Sequence, residues 1–377
     1  MKLPVLLDPC WSRVEAEIRA VIDVEESAYA SGAFRQARGV PSAAVLLRLA
    51  MIYGVCGLSL RQTCAWAAMA RLAELSNPAL LDRLKAAAAW LGQIAGALLA
   101  ARASVDQRWV GWRLRLIDAT TLSAPGANGV TWRLHLGYDL GTARVTSAVL
   151  TDTHGGERLG RFAAEPGLID IADAGYPHPQ ELRPRLAAGG AFIVRIGWNS
   201  LRLRQPDSAT AFDLFGHLRR TTGPTDAWPV QVDDHRPDQP PLVLRLVALR
   251  KSPQAAEAAR RRARATAKRK GKTVDARTLE AAGWILVITS LDAASFPAEA
   301  ILAIYRLRWQ IELVIKRWKS LLGLGELPIR NPDLARCWIN AKLIAAILIE
   351  NTVAAHSGLF PPQQCEGPQR PVAVAAV

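Results

Sequence analysis

Tyr305-Arg306-Leu307-Arg308-Trp309-Gln310-Ile311-Glu312-Leu313-Val314-Ile315-Lys316-Arg317-Trp318-Lys319 is the stretch on which the reading of this 377-residue chain turns. At about 100° per residue, Arg308, Glu312 and Lys319 fall about 300°, 340° and 320° from Tyr305, so all four share a sector about 60° wide on a helix. Leu307, Ile311, Val314, Ile315 and Trp318 take the rest of the circumference, the pattern of a helix packed into a core with one polar edge. The spacing predicts one amphipathic helix, the longest of the chain, starting near Pro297. An Arg–Glu pair at i,i+4 is by itself worth only a few tenths of a kcal/mol on an ordinary surface helix. An acid flanked by two cations and a phenol suits more: the carboxylate fits a metal ion, and the cations and hydroxyl fit phosphate oxygens.

Outward from that helix, residues 1–105 are Ala/Leu-rich with helical periodicity, broken at Gly57-Leu58-Ser59 and again at Ser76–Pro78. Helices over 46–56 and 60–75 joined by the first break have the layout of a helix-turn-helix unit. From about residue 106 the pattern changes to alternation. Strands are predicted over 112–117, 131–140 and 145–151, antiparallel to one another, then a helix near Gly156 and a fourth strand over 168–172. Residues 181–280 mix strand-like runs (191–196, 242–249) with Pro-rich loops and a basic stretch, Arg260, Arg261, Arg262, Arg264, Lys268, Arg269, Lys270 and Lys272. A charge run of that kind is either a solvated helix face or a phosphate contact, with Arg261 and Arg262 as its candidate DNA-binding residues. A strand over 284–291 leads into the polar-edged helix, the segment 281–355 closes the core, and the Pro/Ala/Val tail 356–377 reads as disordered.

Lys+Arg 47 against Asp+Glu 33 gives a formal charge of +14 on a chain that is 50% hydrophobic and 21% charged. That balance excludes a disordered basic tail and points a globular protein toward a polyanion. Cys10, Cys56, Cys64, Cys337 and Cys365 are widely spaced with no C-x-x-C pair, which disfavours zinc and thiol redox chemistry and fits a reduced, cytoplasmic protein. Asp8 ends the apolar run 3–7 before an export signal develops, and the most apolar stretch, 86–101, holds Gly92, Gln93 and Gly96. It is shorter than the ~20 residues that span a bilayer, so it reads as a buried helix and no membrane partner is expected.

The pattern Y-x2-R-x3-E-x6-K at Tyr305, Arg308, Glu312 and Lys319 resembles the signature of the insertion-sequence-4 type DDE transposases. Leu116-Ile117-Asp118-Ala119-Thr120-Thr121-Leu122 resembles that family's first catalytic aspartate at the end of a strand, and Asp173 in Ile171-Ala172-Asp173-Ala174-Gly175-Tyr176 takes the place of the second. Trp132–Leu136, Thr151-Asp152 and Gly155-Gly156-Glu157 are similar to its second and third strands and the turn after them. The separations agree: 55 residues from Asp118 to Asp173, and 139 from Asp173 to Glu312, room for an insertion before the glutamate. The resemblance implies an α/β fold: an RNase H-like catalytic core (106–180 and 281–355), a β-rich insertion (181–280) and an all-α N-terminal DNA-binding domain (1–105). It implies that Asp118, Asp173 and Glu312 are catalytic and hold two Mg²⁺ ions, Mn²⁺ being a possible substitute, and that Tyr305, Arg308 and Lys319 position phosphates. Trp284 stands where similar members carry a tryptophan that stacks on a base flipped from the DNA end. One departure is plain: where the family often has Arg after the second aspartate, this chain has Ala174.

Other acids compete. Asp170 is read as sharing the face of Asp173, but Asp173 sits where Ala-Gly ends the strand and backbone gives way to cleft. Asp152 reads as a turn or cap residue, Glu157 as a helix start, Asp233-Asp234-His235 as a surface turn, and His135 as a strand residue; Trp309 and Trp318 read as core. The expected activity is cleavage of double-stranded DNA at element ends followed by joining of the 3′-OH to target DNA, by a protein that dimerises in the synaptic complex. A metal-dependent nuclease of the same fold and an inactive DNA-binding inhibitor of transposition are the alternatives.

Overall fold

The computed structural model describes residues 11–102, 111–127, 129–206, 208, 210–233, 239–325 and 327–356. The run 3–7, Cys10, Asp234, His235, Cys365 and the tail beyond His356 lie outside the described residues. In chain order the elements are α1 (Trp11–Arg19), α2 (Val24–Ala30), α3 (Ala43–Cys56), α4 (Leu60–Met69), α5 (Asn77–Ala100), β1 (Arg113–Leu122), β2 (Trp132–Asp139), β3 (Arg144–Asp152), β4 (Leu168–Ala172), α6 (Pro179–Ala187), β5 (Ala191–Ile196) and β6 (Leu203–Arg204). There follow α7 (Leu214–Arg220), β7 (Thr225–Val232), β8 (Leu242–Arg250), α8 (Pro253–Arg269), α9 (Ala276–Ala281), β9 (Trp284–Thr289), α10 (Ala298–Arg306), α11 (Trp309–Leu321) and α12 (Pro332–His356).

Two compact units result. Among the described residues, one joins Trp11–Ala101 with Ile329–His356; the other lies between Arg102 and Pro328. In the helical unit, Ser42 caps α3, and Gly57 ends it at φ +66°, a left-handed turn that favours glycine. Ser59 and Gln62 form a reciprocal capping box that starts α4, so the helix-turn-helix layout is present, with the second helix ending at Met69. α12 packs on α5 and α3, and the buried Asn340 amide donates to Ala88 O across 2.9 Å. The segment 281–355, read as the closing part of the catalytic core, divides in its packing: Ile329–His356 groups with the N-terminal helices, and the part before it groups with the sheet. Among the described residues α12 is the one helix long and apolar enough to cross a membrane, yet 67% of its most apolar window is buried. That is the profile of a core helix.

The other unit is built on one nine-stranded sheet in the order β3-β2-β1-β4-β5-β9-β8-β7-β6. β1, β2 and β3 pair antiparallel in sequence, while β4 runs parallel to β1 and β5 parallel to β4. β5 then pairs antiparallel with β9, and β8, β7 and β6 follow antiparallel. The strands expected to form a distinct insertion thus extend the same sheet, because β9 bonds to β5 along one edge and to β8 along the other. The core runs through both parts without a break, from Ile117, Ala172 and Val194 to Leu246, Trp284 and Ile288.

Two further expectations fail for local reasons. No α-helix starts near Gly156; a single 3₁₀ turn forms at Leu159–Arg161. The carbonyls that would feed a helical ladder are taken by side chains, Gly155 O by Arg133 and Gly156 O by Arg161. The helix predicted from Pro297 is two helices, α10 and α11, joined where Leu307 and Arg308 donate to Ile304 O and Tyr305 O, three residues back rather than four. Both are shorter than α5 and α12. The break leaves Trp309 as the first residue of α11 and 52% exposed, so its expected core position is corrected, whereas Trp318 is buried.

Candidate active site

The sheet register brings two of the acids together. Ile117 on β1 pairs with Ala172 on β4, so the next residue on each parallel strand is Asp118 beside Asp173. Asp118 Oδ1 accepts from the Ala119 N–H at 2.8 Å. Burial pushes its carboxyl up to about 6, against the downward pull of that N–H and of Arg308. Glu312 arrives from the first turn of α11. The Arg308 guanidinium stands among the three acids, 3.4 Å from Asp118 Oδ2, 4.0 Å from Asp173 Oδ2 and 2.5 Å from Glu312 Oε1. Burial alone would lower the Arg308 pKa, but Asp173, Tyr305 and Glu312 together raise it.

The Tyr305 hydroxyl, on the last turn of α10, donates to Asp173 Oδ1 at 3.1 Å. Burial first, and Asp173 second, push this phenol up to about 12, so it is a donor at neutral pH. Arg195 on β5, a residue the sequence reading passed over, lies 3.5 Å from Asp173 Oδ1. Its signal was there: it is the one charged residue in a strand otherwise made of Ala191, Phe192, Ile193, Val194 and Ile196.

Lys319 sits two turns beyond Glu312 on α11, half-buried, with no ion pair among the described residues to any of the three acids. Trp284 opens β9 opposite Arg250, whose guanidinium covers its ring at 4.4 Å; the side chain is 8% exposed and belongs to the core. Arg261 and Arg262 lie on α8. Arg261 turns to Glu257 at 3.6 Å, beside Arg260 and Arg264 on the same carboxylate. Neither Arg261 nor Arg262 contacts the acids among the described residues.

The competing acids have other partners. Asp170, three residues before Asp173 on an extended strand, points to the opposite face, which corrects the reading that put them on one side. It is buried and gripped by Arg115 Nε and Nη2 at 2.7 and 3.1 Å and approached by Arg185 at 3.0 Å. Asp152 accepts from the His154 N–H, and Asp233 pairs with Arg204 at 2.6 Å.

Among the described residues no three His, Cys, Asp or Glu side chains stand close enough as they are to hold a metal ion. The donor set is nonetheless that of a hard divalent cation: three carboxylates from β1, the end of β4 and α11, all turned toward one positive group.

A mixed sheet carrying two aspartates in register and a glutamate from a following helix defines a class, and residues 111–348 match the family described as Transposase DDE domain. The chain belongs to the DDE transposase family, members of which generally use divalent metal ions and act on DNA. It is 42% identical over 357 residues to the putative transposase InsL for insertion sequence element IS186A of Escherichia coli strain K12, covering 94% of this chain and 96% of that protein. It is equally 42% identical over 358 residues to the transposase for insertion sequence element IS421 of Escherichia coli, with the same coverage. The transposase for insertion sequence element IS231D of Bacillus thuringiensis subsp. finitimus is 25% identical over 273 residues, 64% of this chain and 56% of that one.

Proposed function

We infer that this chain is an insertion-sequence transposase of the insertion-sequence-4 type with an RNase H-like core, in which Asp118, Asp173 and Glu312 form the catalytic triad. The observation that carries the reading is their convergence on the single guanidinium of Arg308. The strand order β3-β2-β1-β4-β5 supports the fold assignment.

Asp118, Asp173 and Glu312 would hold two Mg²⁺ ions, or Mn²⁺ in their place. When bound, such ions activate the attacking oxygen and neutralise charge on the leaving 3′ oxygen. The residues themselves do the rest. Arg308 leaves the carboxylates for a phosphate oxygen once their charge is met otherwise, and Lys319 adds a second cation along the same helix edge. Tyr305 stays protonated, holds Asp173 in place and is no nucleophile. Water displaces the 3′ oxygen at the element end, giving a 3′-OH and a 5′-phosphate. The 3′-OH then attacks a target phosphodiester and expels a target 3′ oxygen, so one phosphodiester bond forms as one breaks. The helical N-terminal segment and α8 supply DNA contacts, two ends are held by a dimer, and the protein works in the cytoplasm at the nucleoid.

The test is to incubate purified protein with a labelled duplex bearing the inverted repeat beside its gene, Mg²⁺ and a plasmid target. Joined products that vanish with Glu312→Gln are expected. Cleavage without joining would make it a nuclease, a gel shift without cleavage an inhibitor, and cleavage surviving Glu312→Gln would overturn the triad.

A further inference from the structure

Asp118, Asp173 and Arg195 stand in one row across β1, β4 and β5. Ile117 pairs with Ala172 and Ala172 with Val194, and the row is the next residue on each parallel strand. Arg195 thereby brings a cation to within 3.5 Å of Asp173 from the neighbouring strand, where Ala174 has none to offer; its side chain is 39% exposed. Lys251 follows β8, its N–H bonded to Gly283 O at 2.9 Å and its ammonium to Ala282 O at 2.7 Å. Burial first, then the charges of Arg195 and Arg262, lower the Lys251 pKa. Arg262, Lys272 and Arg277 line an open groove of about 700 Å³, with Trp198, three residues after Arg195, in its wall. Arg277 is engaged, held by Asp275 at 3.0 Å and stacked on Trp198 at 4.6 Å. Arg262 and Lys272 have no ion pair among the described residues. Crowded cations facing a concave wall repel one another, and a polyanion laid along them relieves that repulsion.

We propose that Arg195, Lys251, Arg262 and Lys272 form a continuous phosphate track that leads one DNA strand from the catalytic acids into the cleft beside α8. The track rests on the reading of Asp118 and Asp173 as catalytic, and its ligand is a DNA backbone belonging to the element end, its donor flank or the target.

The variant Arg262→Ala/Lys272→Ala alters two exposed positions, and Arg219→Ala, paired with Glu280 outside the cleft, serves as control. Fluorescence anisotropy over a salt series uses three duplexes: the end cut flush at the cleavage point, the end extended by donor flank, and an unrelated duplex added to protein already holding the flush end. The double variant is expected to weaken binding roughly tenfold and flatten the salt slope by between about one and two on one of these, which names the strand. Arg195→Ala should flatten the slope by about one on the same duplex and Arg195→Lys restore it. Affinity and slope equal to wild type and control on all three duplexes would overturn the track. Glu312→Gln in parallel separates the two failures: it stops cleavage if the triad is right and leaves the salt slope as it is.

Discussion

Arg308 reaches Asp118 on β1 across 3.4 Å while closing on Glu312 four residues further along its own chain, so a single guanidinium ties the sheet to α11. With its side chain 14% exposed, Arg308 neutralises the acids at short range and little screened by solvent. Arg308→Ala should destabilise the metal-free protein by about 3 kcal/mol, the cost of leaving partly buried charges without their partner. Urea unfolding in EDTA measures it. Mg²⁺ should recover part of the loss in the variant and do less for wild type, since a cation among the carboxylates replaces what the guanidinium gave. Equal stability of variant and wild type in EDTA would remove this role from Arg308.

Tyr305 makes a narrower prediction. Its hydroxyl donates to Asp173 at 3.1 Å and the ring is almost wholly buried, so Tyr305→Phe keeps the packing and deletes one charge-assisted bond. Stability should fall by only about 1–2 kcal/mol. Single-turnover cleavage should drop by roughly ten- to a hundredfold through loss of aspartate positioning, with DNA affinity close to wild type. A loss confined to affinity would mean that the phenol grips DNA and leaves Asp173 alone.

Asp170 and Asp173 offer a contrast within one strand. Asp170 is 1% exposed and is the shared partner of Arg115 and Arg185, so Asp170→Asn leaves two buried guanidinium groups under-compensated. A loss of about 3–5 kcal/mol is expected, visible as unfolding at ordinary temperatures. Asp173→Asn should keep the melting temperature within a few degrees and abolish cleavage. A folded, inactive Asp170→Asn protein would reverse the assignment of the two acids.

This pair also shows what could be read from the sequence and what could not. Tyr305, Arg308 and Glu312 were legible because helical spacing is local, and Asp173 because Ala-Gly marks a strand end. The break between α10 and α11 was not, since Leu307 and Arg308 keep helical dihedrals and only their hydrogen bonds tighten. Arg195 escaped notice because its partner lies on another strand, and parallel register is decided by tertiary pairing. The packing of α12 on α5 and α3 is illegible for the same reason: nothing in an apolar helix names the helices it packs on.

That packing gives a sharp test at Gly54. A Cβ built there would lie 2.5 Å from the Ala341 Cβ and 3.3 Å from Trp338 O, so α3 and α12 approach as closely as a glycine permits. Alanine in a helix interior gains about 1 kcal/mol over glycine, whereas forced separation of packed helices costs roughly 1–3 kcal/mol. Gly54→Ala should therefore destabilise on balance, and Ala341→Gly should rescue it in a double-mutant cycle. Additive effects would show that the two helices do not meet there.

His135 supplies the pH dependence. It is fully buried on β2, with Nε2 3.0 Å from Thr151 Oγ1. Burial first, then Arg161 and Arg133, lower its pKa from 6.5 to about 4. Between those values the unfolded chain binds the proton and the folded chain does not, so stability contributed by the neutral imidazole is full above pH 6.5 and lost as the pH falls toward 4. At about 1.4 kcal/mol per pKa unit the loss approaches roughly 3 kcal/mol. Chemical denaturation at pH 7, 5.5 and 4 should follow that slope in wild type. His135→Gln keeps a polar contact with Thr151 but has no proton to gain, and should flatten it. An identical slope in the variant would assign acid sensitivity to other groups.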